Sequence, residues 1–245
     1  DADRAAFQQF VGDLFRPLLA DLGWDAKPGE DPETRELRSR AISLLGRIAD
    51  DPQVQAEGRQ RIEAYLDGTL QIDPDLASAV AGVAAAKGDE RLYNRYLERR
   101  QAVETTDAQE EQRFRVALTA FEAPELVERT LHETFDGFCR TQDLGSMLIA
   151  LLNSRHGRLA AWEWIQRRWD DRIAPLDPGL RHWVVTGVGL LTPPSLAPAA
   201  AEFLKTKQTP DTVEVTAQTL ERLRIATETA QRLAGELPEA LRRVS

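Results

Sequence analysis

Residues 157–173 read GRLAAWEWIQRRWDDRI, and this stretch says most about the fold. At helical spacing its apolar residues recur every three or four positions and share one face, namely Leu159, Trp162, Ile165, Trp169 and Ile173. Trp164 lies off that face. Because each indole has a large apolar area and an N–H that needs a partner, we expect neighbours on more than one side of this helix, with Trp162 and Trp169 in the core. The simpler interpretation is a core helix without a direct role in function.

A repeated start signal extends the helical pattern over the chain. Asp-Pro pairs begin at Asp31, Asp51, Asp73 and Asp177, and each precedes a helix-compatible run. Since aspartate accepts hydrogen bonds from free N–H groups and proline has its φ already set, each pair predicts a helix start. The predicted helices are 5–22, 33–50, 53–66, 75–86, 90–103, 108–121, 124–135, 144–153, 159–173, 179–190, 196–206 and 211–242. No segment has the alternation of a strand, so the sequence predicts an all-α fold.

The spacing of these helices favours a repeat architecture. The interval from Asp31 to Asp73 holds two helices and falls within the roughly 40–47 residue period of HEAT-type helix pairs. Short helices without sustained heptads favour a HEAT-like α-solenoid, a superhelix of antiparallel helix pairs, over a four-helix bundle. The last helix is expected to close the stack through an inward face formed by Val213, Ala217, Leu220, Leu223, Ala230 and Leu233.

Composition excludes several classes of function. The 245 residues are 42% hydrophobic and 29% charged, which is typical of a globular protein, and the net charge of -9 argues against nucleic-acid or membrane-surface partners. The longest apolar runs, 79–86 and 184–191, fall short of the roughly 20 residues of a membrane span.

The first residues lack a signal peptide, so we expect a cytoplasmic location, and the missing initiator Met suggests a processed or excised chain. The single cysteine, Cys139, is interpreted as packing material. Abundant Arg and Ala with few Lys and Asn suggest a bacterial source.

Residues for catalysis are sparse. The histidines His132, His156 and His182 are far apart in the sequence. His132-Glu133 begins the HExxH pattern of zinc peptidases, but Asp136 occupies the position of the second histidine. A His-Glu-Asp metal site remains an alternative to a solvated helix face. With neither a phosphate loop nor a nucleophile elbow, the chain by itself is not expected to be an enzyme or to hold a cofactor.

Several short motifs, in order and spacing, are shared with a known family. They are Leu22-Gly23-Trp24, Leu37-Arg38, Ile72-Asp73-Pro74-Asp75-Leu76, Gly88-Asp89, Tyr93, Leu97, Glu110 to Arg113, Ala117-Leu118, Arg140-Thr141-Gln142-Asp143, Asn153, Gly157-Arg158, Ala161-Trp162, Trp169, Gln218 and Glu221. Through them the chain resembles, over nearly all of its 245 residues, the C-terminal helical domain of the gluzincin-type zinc aminopeptidases, and residues 1–245 are interpreted as that one domain. That group includes aminopeptidase N, puromycin-sensitive aminopeptidase and the endoplasmic reticulum aminopeptidases. The Trp usual further along the last helix is absent here.

The resemblance implies a function that depends on another domain. It implies a helical bowl over a thermolysin-like catalytic domain of the same polypeptide, which would hold the zinc and recognise the amino terminus of the substrate. This chain would enclose the cavity and contact peptide substrates beyond the scissile bond. Within that picture Arg140, Gln142, Asp143 and Arg158 are the candidate substrate-binding residues, since cations and polar turns suit peptide carbonyl and carboxylate groups.

Structural interpretations of the same residues stay open. Asp143 could cap the next helix while Gln142 holds the turn, and Arg158 could be a surface arginine or cap helix carbonyls. At the level of the whole chain, a free-standing helical-repeat scaffold that binds another protein is the alternative. A hydrolase working through His132 and Glu133 is the third possibility.

Overall fold

The computed structural model describes residues 2–137 and 139–244, and within these ranges the chain consists of helices and the turns that join them. The helices are α1 (Ala2–Leu22), α2 (Pro32–Arg47), α3 (Pro52–Leu66), α4 (Pro74–Ala86), α5 (Glu90–Val103), α6 (Ala108–Ala117), α7 (Pro124–Asp136), α8 (Leu144–Asn153), α9 (Arg158–Arg168), α10 (Pro178–Val188), α11 (Ala197–Thr206) and α12 (Val213–Val244). The described residues contain no strand, and the predicted all-α class is confirmed.

Capping by aspartate sets the helix starts, as predicted from the Asp-Pro pairs. The side chains of Asp31, Asp51, Asp73 and Asp177 accept hydrogen bonds from backbone N–H groups in the first turns of α2, α3, α4 and α10. These bonds are 2.8–3.2 Å long. Each cap satisfies donors that have no partner inside the helix, so a purely local signal determines where these helices begin.

Three predicted helices end three or more residues earlier than expected. The helix predicted to reach Asp50 ends at Arg47, because Asp50 adopts a left-handed conformation with φ +57°. After α6 the chain tightens into a 3₁₀ turn at Leu118–Ala120. After α9 a single π-turn covers Trp169–Ile173, closed by the Ala174 N–H on the Trp169 carbonyl at 2.8 Å. At a helix end the backbone hydrogen bonds can change from the α pattern to the 3₁₀ or π pattern while the spacing of the apolar residues stays the same. The apolar spacing in the sequence therefore did not reveal these helix ends.

The chain divides into two compact units, and the first comprises residues 2–123 with the end of α12 from residue 237. Its centre is α4, whose residues 76–86 are buried except for Ser78. Helix α4 packs against α2, α3 and α6, while α1 packs against α2 and α5 against α6. The HEAT-like superhelix, as a description of the whole chain, stays a prediction.

The second unit comprises residues 124–236 and is built around α9. The indoles of Trp162 and Trp169 each meet the ring of Phe203 on α11 edge-on, with centroids 5.2 Å apart. Trp164, on another side of α9, stacks on Phe135 of α7 with centroids 3.6 Å apart. All three indoles are buried. The expectation of neighbours on more than one side, and the core assignment of Trp162 and Trp169, are confirmed.

Leu159 departs from the predicted apolar face of α9. It is 52% exposed, whereas Trp162, Ile165, Trp169 and Ile173 are buried. Leu159 is the second residue of α9 and lies next to the turn that precedes the helix. The spacing of the apolar residues identified the buried face of α9 correctly. It does not indicate how far along the helix that face is covered by neighbouring helices.

The predicted inward face of α12 is wrong in part. Leu223 is buried as expected, but Ala217 is exposed and Val213 and Leu233 are 49% and 45% exposed. The residues buried in this part of α12 are instead Val215, Thr216, Thr219 and Leu223. Threonine methyl groups form part of the covered face, so a prediction based on aliphatic side chains alone rotated the helix about its axis.

Candidate functional site

The turn that precedes α8 carries three of the four candidate residues. Residues Thr141–Asp143 form a 3₁₀ turn in which the Asp143 N–H donates to the Arg140 carbonyl at 2.8 Å. The side chains of Arg140 and Gln142 are exposed, and Asp143 is half-buried. The backbone bond closes this turn. Arg140 and Gln142 therefore lie on an exposed, ordered turn at the start of a buried helix.

The Asp143 carboxylate does not cap α8, which corrects one structural interpretation of this residue. Asp143 has helical backbone angles, φ −95° and ψ −12°, and the 3₁₀ turn continues directly into the helix. The Leu144 N–H therefore donates to the Thr141 carbonyl. An N-cap residue needs extended angles to direct its side chain at the free N–H groups, and Asp143 lacks them. The Asp143 carbonyl accepts a bond from the Ser146 hydroxyl at 2.8 Å.

Arg158, the fourth candidate, lies at the other end of α8. Its Nε donates to the Leu152 carbonyl at 3.0 Å and its Nη2 to the Asn153 carbonyl at 3.4 Å. Burial lowers the pKa of the Arg158 guanidinium, although arginine stays charged at any physiological pH. Arg158 thus caps the carbonyl end of α8, where the negative end of the helix dipole favours a cation. This is the carbonyl-capping interpretation that the sequence left open.

The turn before α9 has a steric requirement for glycine. A Cβ atom at Gly157 would lie 3.0 Å from the Leu151 carbonyl oxygen and 3.1 Å from Leu151 Cδ2. The Gly157 N–H also donates to the Ser154 hydroxyl at 3.3 Å. This close approach holds α9 against α8 and places Arg158 over the last carbonyls of α8. The Gly157-Arg158 pair is therefore a structural unit in which each residue has a physical role.

The structure does not bring the four candidate residues into one cluster. Helix α8 has 10 residues and separates the 140–143 turn from the Arg158 guanidinium. At about 1.5 Å of rise per residue, that separation is about 15 Å. An extended ligand could contact Arg140 with one part and Arg158 with another. A single small group could not contact both side chains.

An exposed tryptophan near the turn was missed in the sequence. Trp183 on α10 is 54% exposed, and a Cβ at Gly145 would lie 2.8 Å from Trp183 Cβ. The absence of a side chain at Gly145 thus lets Trp183 pack against the first turn of α8. The large buried side chains of α10 are those of Leu180, Val184, Val185 and Val188, and Trp183 lies off the face that they form. This spacing can be read from the sequence, where it marks Trp183 as lying outside the apolar face. Solvent-exposed indoles are enriched at contact surfaces.

Side chains that could hold a metal are separated from one another. His132 is exposed, and Asp136 forms an ion pair with Arg172. In the described ranges no three His, Cys, Asp or Glu side chains are close enough to share an ion. The donor set of the described residues, His132, Glu133 and Asp136 included, therefore does not fit a zinc site. Among the same residues, no helix combines the length and apolarity needed to cross a membrane.

Comparison with known proteins identifies the family. The model of the ERAP1-like C-terminal domain matches residues 1–225, and this chain belongs to that family. The chain is 26% identical to aminopeptidase 2, mitochondrial, of Saccharomyces cerevisiae, over 88% of this chain and 23% of that protein. It is 27% identical to aminopeptidase M1-A of Oryza sativa subsp. japonica, over 89% of this chain and 25% of that protein. Glutamyl aminopeptidase of Bos taurus is 26% identical over 66% of this chain and 17% of that protein.

The chain matches only part of each of these relatives. The chain spans about a quarter, or less, of the length of these relatives. The resemblance drawn from the sequence motifs is thus confirmed at the level of the family. The relatives come from yeast, a plant and a mammal, so the bacterial source stays a prediction, as does the cytoplasmic location.

Proposed function

We propose that this chain is the non-catalytic C-terminal helical domain of a zinc-dependent aminopeptidase. The observation that carries the proposal is the family match over residues 1–225, together with relatives that are named aminopeptidases and are about four times as long. The zinc and the recognition of the substrate amino terminus belong to the catalytic domain of the same polypeptide. The present chain encloses the active-site cavity and binds the part of the peptide beyond the scissile bond.

The start of α8 is the part of this chain best suited to a peptide. Arg140 offers a guanidinium that can donate to a peptide carbonyl or carboxylate, and Gln142 offers an amide that both donates and accepts. The exposed indole of Trp183 packs beside Gly145 and adds an apolar surface next to that turn. An exposed cation, an amide and an aromatic side chain together match the mixed polar and apolar character of a peptide.

Arg158 contributes to this site by positioning. Its guanidinium binds the last carbonyls of α8 and so orders the helix whose first turn carries Gly145. Its remaining donors can reach a ligand, but the two carbonyl bonds already restrict its direction. Arg140 and Trp183 are therefore expected to affect peptide binding more specifically than Arg158, whose loss also disturbs α8.

The experiment uses the full polypeptide that contains this chain. Arg140→Ala and Trp183→Ala are each assayed with peptides of increasing length and with a small aminoacyl reporter that is too short to reach this domain. A lost contact is expected to lower kcat/KM for the longer peptides about three- to tenfold, which corresponds to about 0.7–1.4 kcal/mol of transition-state stabilisation. Hydrolysis of the reporter should be unchanged.

The control is Arg167→Ala on α9, an exposed arginine whose ion pair with Glu163 has a long N–O distance of 3.7 Å. This variant should behave as the parent enzyme does with every substrate. Equal losses for peptides and reporter in Arg140→Ala would indicate a folding or docking defect and would contradict direct binding. Stoichiometric zinc and reporter hydrolysis in the purified 245-residue chain would refute the assignment as a non-catalytic domain.

A further inference from the structure

Helix α1 carries a second apolar stripe on a side that the described helices leave exposed. Phe7, Phe10 and Leu14 are 38%, 37% and 57% exposed. Pro17 is exposed as well. These four residues, called the outer stripe below, follow one another at intervals of three or four and therefore lie on one side of the helix. Single exposed apolar side chains are common on soluble proteins, whereas a row of them forms a patch that usually has a partner.

Another side of α1 already lies in the core. Val11 and Leu19 are buried, and α1 packs against α2. At about 100° per residue, the arc that runs from Pro17 through Phe7 to Leu19 covers about 200° of the helix circumference. A helix that packs against one neighbour needs an apolar arc of only about 100°. The sequence of α1 is therefore suited to a helix that is covered on two sides.

The packing of the first unit indicates which neighbour would cover the outer stripe. Helix α4 packs against both α2 and α6, and α1, α3 and α5 each pack against the helix that follows them. Helix α3 also contacts the helix that precedes it, α2. Helix α1 holds the same place in its pair as α3 does, so the corresponding neighbour of α1 is a helix that precedes it. An end helix of a repeat stack has a polar outer face, and the outer stripe is apolar.

Two aspartates lie in line with the outer stripe, one at each end of α1. Asp3 and Asp21 are exposed and are separated by about five complete helical turns, so they point in the same direction as the stripe. Asp21 lies in the last turn of α1, which contains no basic residue. The negative end of the helix dipole adds to the charge of Asp21 there. A partner of the outer stripe is therefore expected to offer positive charge at both ends.

Charge and area both argue against a second copy of this chain as the partner. Whether two copies of the outer stripe pair in parallel or antiparallel, aspartates face aspartates across the contact. The four side chains also expose only a few hundred Å² of apolar surface, well below the roughly 800 Å² that each partner buries in a stable interface. A helix of the same polypeptide needs less area, because the covalent link keeps its effective concentration high.

The family match supports a partner that is earlier in the polypeptide. The matched model describes a C-terminal domain, and the relatives are about four times as long as this chain. In such relatives most of the polypeptide precedes the matched region. A preceding helix joined to α1 by a short turn would run antiparallel to it. Its positive N-terminal end would then lie beside Asp21, and its last turn, where Lys and Arg are favoured, would lie beside Asp3.

We propose that the outer stripe of α1 is the docking surface for the helix that directly precedes α1 in the same polypeptide. This helix runs antiparallel to α1, covers Phe7, Phe10 and Leu14 with apolar side chains, and presents a Lys or Arg to Asp3. That the polypeptide has a segment before residue 1 rests on the proposed function. The docking surface itself rests on the apolar and charged side chains of α1.

The test uses photo-cross-linking in the full polypeptide that contains this chain. A benzophenone amino acid replaces Leu14, in the outer stripe, or Asp21, at its end, and the products are mapped by mass spectrometry after irradiation. The expected product is a link within one chain to the roughly 40 residues before residue 1, which is the length of one helix pair. The matched control is Leu159 on α9, which is 52% exposed and belongs to the second unit. Its yield of that product should be at least about tenfold lower.

Thermal unfolding like that of the parent polypeptide shows that each labelled variant is folded, and the position at Asp21 serves if the label at Leu14 disturbs packing. A product of doubled mass would identify a second copy as the partner and would overturn the proposal. A link to a segment farther upstream, or the absence of a link from both positions, would overturn it as well. The cross-link requires no peptidase activity, so a polypeptide that forms it without hydrolysing peptides would refute the proposed function and leave the docking surface standing.

Discussion

The burial of Trp162 leads to a quantitative prediction for the stability of the second unit. This indole is 3% exposed and meets Phe203 edge-on. Its replacement by Ala removes nearly all of the side chain from a closed core and leaves a cavity behind. The free energy of unfolding should therefore fall by about 3–5 kcal/mol.

The matched control is the same substitution at Trp183, which is 54% exposed. Because roughly half of that side chain is already in water, Trp183→Ala should cost about half as much, on the order of 1.5–2.5 kcal/mol. Both variants lose an indole, so a difference between them reports burial and not residue type.

A double-mutant cycle separates the contact with Phe203 from burial alone. Trp162→Ala, Phe203→Ala and the double variant should give a coupling energy of about 0.5–1.5 kcal/mol, as is typical of an edge-on aromatic pair. Urea unfolding followed by far-ultraviolet circular dichroism is the assay, since tryptophan fluorescence changes with the substitution itself. A loss below about 1 kcal/mol for Trp162→Ala, or a loss no larger than that for Trp183→Ala, would refute the core assignment.

Three further perturbations test other parts of the structure. Gly157→Ala should lower stability by about 1–3 kcal/mol, because its Cβ would lie 3.0 Å from the Leu151 carbonyl oxygen. Gly235→Ala, whose Cβ would point into open space on α12, should raise stability by about 0.4–1 kcal/mol. Equal effects of the two substitutions in thermal unfolding would contradict this. Arg158→Ala should cost about 1–3 kcal/mol in urea unfolding because two carbonyls of α8 lose a charged donor, and no change would show that the cap is dispensable. Hydrogen bonds from the backbone N–H and the hydroxyl of Thr34 hold the pKa of the Asp31 carboxyl below its ordinary value, so its contribution to stability is present above about pH 3.9 and is lost as pH falls through the lowered pKa. In Asp31→Asn the fall of Tm in that acidic range should be shallower, and a Tm that depends on pH as in the parent chain would argue against this role.

Local signals account for what the sequence determined by itself. The all-α class, the helix starts at Asp31, Asp51, Asp73 and Asp177, and the burial of Trp162 and Trp169 depend on residues a few positions apart. Capping acts within one turn and amphipathic periodicity within one helix, so both are encoded in short stretches and both are confirmed. The family resemblance also came from the sequence, because it depends on the order of short motifs.

Only the tertiary structure decided which groups meet. The carbonyl partners of Arg158, the exposure of Leu159 and the buried threonine face of α12 depend on where neighbouring helices pack. Periodicity indicates that a helix face is apolar but does not indicate which helix covers it. In the same way, the residues around an arginine in the sequence do not indicate whether its side chain faces a carboxylate, a carbonyl or an open groove. Those outcomes arise from packing between distant segments, where the free energy of burial is shared among helices and no local pattern records it.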